Sequence, residues 1–322
     1  MGFSTARSQG IYGEGGTIEM AAYIMRAFVL NFIGRAGDMA LDDSWYTEVH
    51  GRYGSAFSLK VKRKLHDEQS PYQRVEIYET ETFGNLMTLD GLVMVTTRDN
   101  FVYHEMITHT ALFSHPNPKR VLIIGGGDCG TLREVLKHKG VEQVDQVEID
   151  ERVTRVAEMY FPELCESNND PRARLLFIDG IKWVYDAKDG SYDVIIIDST
   201  DPVGPAEGLF SKPFYQQCMR VLAPNGLVIQ QSESPLLHMQ ILKDMYGAIK
   251  GAGFIDALTF FFPQVSYPSG WWSTTMACKD TPVTDFREEA ASNKTFPTRY
   301  YNAAIHRAAM AAPEFFYKEI GM

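Results

Sequence analysis

The sequence predicts an α/β chain in which a small antiparallel β segment precedes a parallel sheet covered by helices on both faces. Two observations carry this. Between residues 121 and 231 five largely apolar runs alternate with helical segments, the pattern of strands buried on both faces. Between 57 and 97 the runs are short and strand-like, with turn residues between them. The length of 322 residues agrees, since single cores stop growing near ~250–300 residues and a second, smaller unit is then expected.

Taken in order, residues 1–40 stand apart: Gly-rich to Gly16, then an apolar helix-like run from Ile18 to Ile33, then Gly34 and Gly37. They are expected to be an N-terminal extension outside the native fold, either upstream of a native start at Met39 or a loosely attached helix. The apolar run is short for a membrane span of ~20 residues and is interrupted by Arg26. It has no basic segment directly ahead and no clear small-residue cleavage site, so it does not read as a signal peptide. A β domain is expected over 41–103, with AFSLKVKRKL at 56–65, RVEIYETE at 74–81, and NLMTLDG and LVMVTT meeting at Asp90-Gly91, a strong hairpin signal. The larger domain is expected over 104–322, ending in a C-terminal helical segment. It opens with the helix EMITHTALFSH, which stops before Pro116. Strands then follow at VLIIGGG (121–127), VDQVEID (144–150), RLLFIDG (174–180), YDVIIIDSTD (192–201) and GLVIQQ (226–231). The intervening helices are TLREVLKHKG, ERVTRVAEMYF and FYQQCMRVL, with another around LKDMYGAIKGAG.

Composition narrows the function. With 31 Lys plus Arg against 41 Asp plus Glu the net charge is −10, which disfavours nucleic-acid binding and leaves cationic ligands open. The four cysteines (129, 165, 218 and 278) form no CxxC pair, so no metal is expected, and so few in a chain this long point to a reducing, cytoplasmic compartment.

In a parallel sheet, ligands bind outside the carboxyl ends of the strands. Those ends carry Gly125-Gly126-Gly127-Asp128, then Glu148 and Asp150, Asp179-Gly180, Asp198 and Asp201, and Gln231 with Glu233. A single carboxylate at such a place is usually a helix cap; five consecutive strands ending in acid or amide are harder to explain that way. Gly125 to Gly130 satisfies GxGxxG after a strand and before a helix, with Glu148 at the distance expected of a ribose ligand. Asp128 lies where a pyrophosphate would sit in a dinucleotide site and would repel it, so a cationic nucleoside fits better. Asp179-Gly180 suits the adenine amino group. Cys129, at a helix start, reads as a buried small hydrophobe rather than an activated thiol. Asp198 emerges from four aliphatic residues onto a loop stiffened by Pro202 and Pro205, where desolvation would raise its pKa and fit it to act as a general base.

At IGGGDCG, QVEID, IDG and above all DSTDPVGPAEGLF, the chain resembles the spermidine synthases, the polyamine aminopropyltransferases that use decarboxylated S-adenosylmethionine. The resemblance runs from about Trp45 to the end and includes RDNFVYHEM (98–106), YPSG (267–270) and RYYNAAIHRAA (299–309). It implies a Rossmann-like, methyltransferase-type sheet after the β domain, and a homodimer or homotetramer. No cofactor would be bound, and decarboxylated S-adenosylmethionine and putrescine would be the substrates. By the same resemblance Gln73, Glu148, Asp179, Gly180 and Pro205 hold the nucleoside and Asp128 takes the aminopropyl ammonium. Tyr103, His104, Asp198, Asp201, Gln231 and Tyr267 line the amine channel, with Asp198 as the base. Glu233 is the candidate for the far ammonium of a diamine. The chain departs from the family pattern at Cys129, at Met94, at FPQVSY before the YPSG, and at Trp271-Trp272, mostly on the acceptor side. Cadaverine, spermidine or agmatine as acceptor, an S-adenosylmethionine-dependent N-methyltransferase, an NAD-dependent dehydrogenase and a non-catalytic polyamine binder are the competing readings.

Overall fold

The computed structural model describes residues 41–202, 204–282 and 286–321, without the side chains of Gly204 and Pro205. The expectations for residues 1–40 lie outside the described residues.

Five strands, β1 (Trp45–His50), β2 (Ser55–Gln69), β3 (Arg74–Thr80), β4 (Asn85–Leu89) and β5 (Leu92–Thr96), form a sheet in sequence order. The pairings from β2 to β5 are antiparallel. Asp90 and Gly91 take positive φ in the hairpin, as a two-residue turn of this kind requires. β1 was not foreseen.

Helix α1 (Asn100–Ser114) follows and begins five residues before the segment recognised in the sequence, so Tyr103 and His104 lie on it. A seven-stranded sheet comes next, with β6 (Arg120–Gly125), β7 (Gln143–Glu148), β8 (Ala173–Phe177), β9 (Tyr192–Asp198), β10 (Leu222–Gln231), β11 (Asp256–Pro263) and β12 (Trp271–Cys278). Its order is β11-β12-β10-β9-β6-β7-β8. The central five strands are parallel, whereas β12 runs antiparallel to β10 and β11 antiparallel to β12. The five strands read from the sequence are thus parallel as expected, and the chain after residue 253 adds an antiparallel hairpin on one edge that the sequence reading did not identify.

Successive aliphatic residues of β6 and β9 enter opposite cores. Val121, Ile123, Val194 and Ile196 pack on the side of α1, and Leu122, Ile124, Ile195 and Ile197 on the other. Burial on both faces is why these strands read as unbroken apolar runs. Helices α2 (Gly130–Leu136), α3 (Glu151–Tyr160), α4 (Gly180–Asp186), α5 (Lys212–Val221) and α6 (Met239–Ala252) connect the strands. The short helices α7 (Glu288–Ser292), α8 (Ala303–Ala309) and α9 (Glu314–Ile320) close the described chain. Buried Glu105 of α1 accepts hydrogen bonds from the backbone N–H groups of Arg299, Tyr300 and Tyr301 at 2.7, 2.8 and 2.7 Å. The acid of YHEM therefore anchors the RYY segment, which explains physically why both motifs recur in one chain. No helix among the described residues is long and apolar enough to cross a membrane.

Candidate active site

From β6 the chain proceeds to β7 and β8 on one side, and from β9 to β10 on the other. The crevice where strand order reverses therefore opens between the carboxyl ends of β6 and β9, where Gly125 pairs with Asp198. A cavity of about 460 Å³ lies there, bounded by both sheets. Gly125 has φ 81°, and a Cβ on it would sit 2.2 Å from the Asp198 carbonyl oxygen; only glycine permits this approach. Gly126 N–H then donates to that carbonyl at 2.7 Å.

Asp198 sits at the floor with both oxygens engaged. Tyr103 Oη donates to Oδ1 and Thr131 Oγ1 to Oδ2, each at 2.6 Å. Burial pushes the Asp198 carboxyl above its ordinary pKa, and nearby Asp128 adds to the rise. The two hydrogen bonds oppose it. Each oxygen keeps a lone pair for a further donor. The Tyr103 hydroxyl is held far above its usual range, first by burial and then by Asp198, so it remains a donor.

Asp128 also lines the cavity. Its Oδ1 accepts from Gly130 N–H at 2.8 Å and its Oδ2 lies 3.1 Å from His104 Nε2. Burial pushes this carboxyl up, but His104 and the Gly130 N–H outweigh it and hold Asp128 below the usual carboxylate range. Burial likewise lowers His104, and Asp128 more than reverses that. His104 is corrected as a lining residue: it is 2 % exposed and lies behind Asp128. A Cβ on Gly130 would fall 2.2 Å from the imidazole, so the ring occupies the space this glycine leaves.

Of the residues expected at the nucleoside, Gln73, Glu148, Asp179 and Gly180 all line the cavity. Asp179 caps α4, accepting from the N–H groups of Ile181 and Lys182. The Gln73 amide donates to Asp150 at 3.1 Å, and Asp150 itself is the buried cap of α3, the ordinary reading for a strand-end acid. Pro205 lies in a 3-10 turn (Gly204–Phe210), and its side chain is outside the described residues. Cys129 is fully buried, with a thiol pushed strongly upward by Cys165 and by burial; it sits at φ 66°, where glycine is easier.

Glu148 illustrates the cost of keeping an acid ready for a ligand. It is 8 % exposed, and burial with the charges of Asp150 and Asp198 pushes its pKa up to about 7. A carboxyl raised on folding contributes stability that is complete below its unfolded pKa and lost as pH rises through the folded value. Glu148→Gln is therefore expected to raise the melting temperature of the ligand-free protein at pH 8, by about 1–3 kcal/mol in stability, with the gain vanishing near pH 4.5. Thermal melts at both pH values check this; an equal gain at both would contradict it.

Of the residues expected in the amine channel, Asp201, Gln231 and Tyr267 also line the cavity, as does Glu48, which the sequence reading missed. Glu48 comes from β1 and its Oε2 accepts from Val93 N–H at 2.8 Å. Burial pushes it up to about 7, with Asp201 adding to the rise. Its only sequence signal was an acid between inward-facing aromatic positions of an unrecognised strand. Asp201 is pushed up to about 8, by burial and then by the neighbouring Glu233. Glu233 does not line the cavity. It is fully buried at φ 70°, with Oε1 accepting from Gln231 Nε2 at 3.2 Å. Its Oε2 lies 2.8 Å from His238 Nδ1 but outside hydrogen-bond alignment. Glu233, the candidate the sequence offered for a diamine's far ammonium, is thus not among the lining residues, whereas Glu48 is. Tyr103, Tyr267 and Trp272 complete an aromatic wall, with ring centroids 5.8 and 4.9 Å apart in edge-on pairs. The Tyr267 hydroxyl donates to the Met94 carbonyl at 2.6 Å, so the departure at Met94 leaves a backbone contact in place.

A family model described as the spermine/spermidine synthase domain matches residues 100–288, and one described as the spermidine synthase tetramerisation domain matches 44–97. The polyamine aminopropyltransferase of Thioalkalivibrio sulfidiphilus (strain HL-EbGR7) is 65% identical over 283 residues, 88% of this chain and 99% of that protein. The one of Methylococcus capsulatus (strain ATCC 33009 / NCIMB 11132 / Bath) is 63% identical over 272 residues, 84% of this chain and 95% of that protein. The crystal structure of spermidine synthase from Thermotoga maritima superposes with TM-score 0.82 at 37% identity, over 89% of this chain and 99% of that one. A spermidine synthase in complex with the transition state analogue AdoDATO gives 0.83 at 37% identity, over 88% and 99%. With relatives matched along nearly their whole length, this chain belongs to the spermine/spermidine synthase family.

Proposed function

We propose that the chain transfers the aminopropyl group of decarboxylated S-adenosylmethionine to putrescine, yielding spermidine and methylthioadenosine. The observation that carries this reading is the row of carboxyl groups along one crevice, with Glu148 and Asp179 at one end, Asp128 and Asp198 in the middle, and Asp201 and Glu48 at the other. Both substrates are cationic, and each positive centre then meets an acid.

The nucleoside lies against Gln73, Glu148, Asp179, Gly180 and Pro205, and the aminopropyl ammonium meets Asp128. Putrescine enters along Tyr103, Tyr267 and Trp272, where alkyl carbons and an ammonium both pack well on aromatic faces. Its far ammonium faces Glu48 and Asp201, with Gln231 beside them. An alkylammonium has a pKa near ~10.4, so the attacking nitrogen must lose a proton. Asp198 accepts it and the amine displaces the sulfonium, which leaves as a neutral thioether; the residues supply position and a base, and the leaving group is already activated. The division into an extension, a β domain over 41–103 and a catalytic domain over 104–322 belongs to the same proposal, as does assembly into a homodimer or homotetramer in the cytoplasm.

Thr131 is a positioning residue for the base. Thr131→Val keeps the volume and removes the hydrogen bond to Asp198 Oδ2. A bond to a charged acceptor is worth about 1.5 kcal/mol or more, or about one pH unit. The acid limb of the kcat/KM profile is expected to move upward by about that amount; a drop in rate at unchanged profile would reduce Thr131 to a packing role.

The function is tested by supplying decarboxylated S-adenosylmethionine with putrescine, cadaverine, agmatine or spermidine in turn and following methylthioadenosine. Putrescine is expected to be the best acceptor. Release with spermidine alone would move the assignment to spermine-type synthesis, and release with none would refute it.

A further inference from the structure

A second cavity, of about 300 Å³, lies at the end of α2 opposite to the Asp128 loop, and the proposed reaction makes no use of it. Its charge runs against that of the chain. Lys137, Lys139, Lys294 and Arg287 line it, and among the described residues no carboxylate does. Lys137 is answered from behind by buried Glu134 at 2.7 Å, whereas the other three have no carboxylate partner among the described residues.

Arg287 is the best-defined of them. Its Nε donates to the His115 carbonyl at 2.8 Å and its Nη2 to the Leu112 carbonyl at 2.7 Å, and the guanidinium lies 5.7 Å from the Phe113 ring centroid. Two of its five N–H groups are thereby fixed and three remain. Burial lowers its pKa. Helix carbonyl ends explain part of the pattern, because cations favour them, but each offers only about half a charge. Among the described residues, three cations without a carboxylate partner exceed what α1, α2 and α7 supply.

Three rings are among the other lining residues. Phe113, His138 and Phe296 meet there, with His138 held neutral by burial and by neighbouring cations. The volume falls at the small end of ligand cavities and is too large for a bare oxyanion. We propose that this cavity binds a small organic phosphate, its phosphate on Arg287, Lys139 and Lys294 and its organic part against the aromatic wall. The site is separate from the crevice and does not rest on the identity of donor or acceptor.

Calorimetric titration of the full-length protein tests it, with methylthioadenosine present to fill the crevice and AMP, adenosine and inorganic phosphate as probes at fixed ionic strength. AMP is expected to bind saturably, more tightly than inorganic phosphate, with adenosine silent. The Lys139→Gln/Lys294→Gln double variant is expected to weaken AMP at least tenfold and to leave aminopropyl transfer unchanged. Arg287→Gln should abolish binding, but it also removes an α1 cap, so the lysine variant decides. Failure of AMP to bind, equal affinity for inorganic phosphate, or unaltered affinity in the double variant would each overturn the assignment.

Discussion

Replacing Asp198 with asparagine is expected to lower turnover about 10²–10⁴-fold while donor affinity changes little. The amide keeps the shape and continues to accept from Tyr103 or Thr131, but it cannot take a proton from the attacking ammonium. The position of Asp198 makes this the sharpest substitution available. Its carboxyl is raised by burial and by Asp128, and it is restrained by two short hydrogen bonds at 2.6 Å. A base must be ionised to work, so the native rate should fall as pH drops through the raised Asp198 value. That acid limb should disappear in the variant. Single-turnover rates with pre-bound donor, measured across pH, check both parts. A variant within fivefold of the native rate, or one retaining the acid limb, would move the base elsewhere.

Asp128→Asn is expected to act on choice of donor. Intact S-adenosylmethionine carries a carboxylate where the decarboxylated form has only the ammonium-bearing chain, and it would bring that carboxylate towards Asp128. Two like charges about 4 Å apart at an effective dielectric near 20 repel by about 4 kcal/mol. The imidazole 3.1 Å behind Asp128 offsets part of this, because it shares the carboxylate's charge. The expected loss of preference for the decarboxylated donor is therefore at least tenfold rather than the full electrostatic value. Competition between the two nucleosides in native and variant protein measures it, and an unchanged ratio would remove Asp128 as the filter.

How much was legible in the sequence follows from how local each feature is. Asp128, Glu148, Asp179 and Asp198 each sit where a largely apolar parallel strand gives way to a loop, so the apolar run and the acid after it place them without knowledge of the fold. Glu48 could not be found that way. It belongs to a strand that alternates weakly, and it reaches the crevice only because β1 joins the five-stranded sheet. His104 was assigned to the right neighbourhood and the wrong depth, because the space under Gly130 that accepts its ring depends on α1 crossing the start of α2. Glu233 followed the strand-end rule, yet its positive φ turns it away from the cavity and behind Asp201. The β11–β12 hairpin escaped notice because its seven-residue connection, containing YPSG, lacks a short hairpin-turn signal. Helix α4 was hidden between two close strands.

The most direct test of the account is to mix the protein with putrescine and either decarboxylated or intact S-adenosylmethionine and to quantify both products by mass spectrometry. Aminopropyl transfer predicts spermidine and methylthioadenosine in equal amounts from the decarboxylated donor, and little or nothing from the intact one. N-methylputrescine with S-adenosylhomocysteine from the intact donor would contradict it.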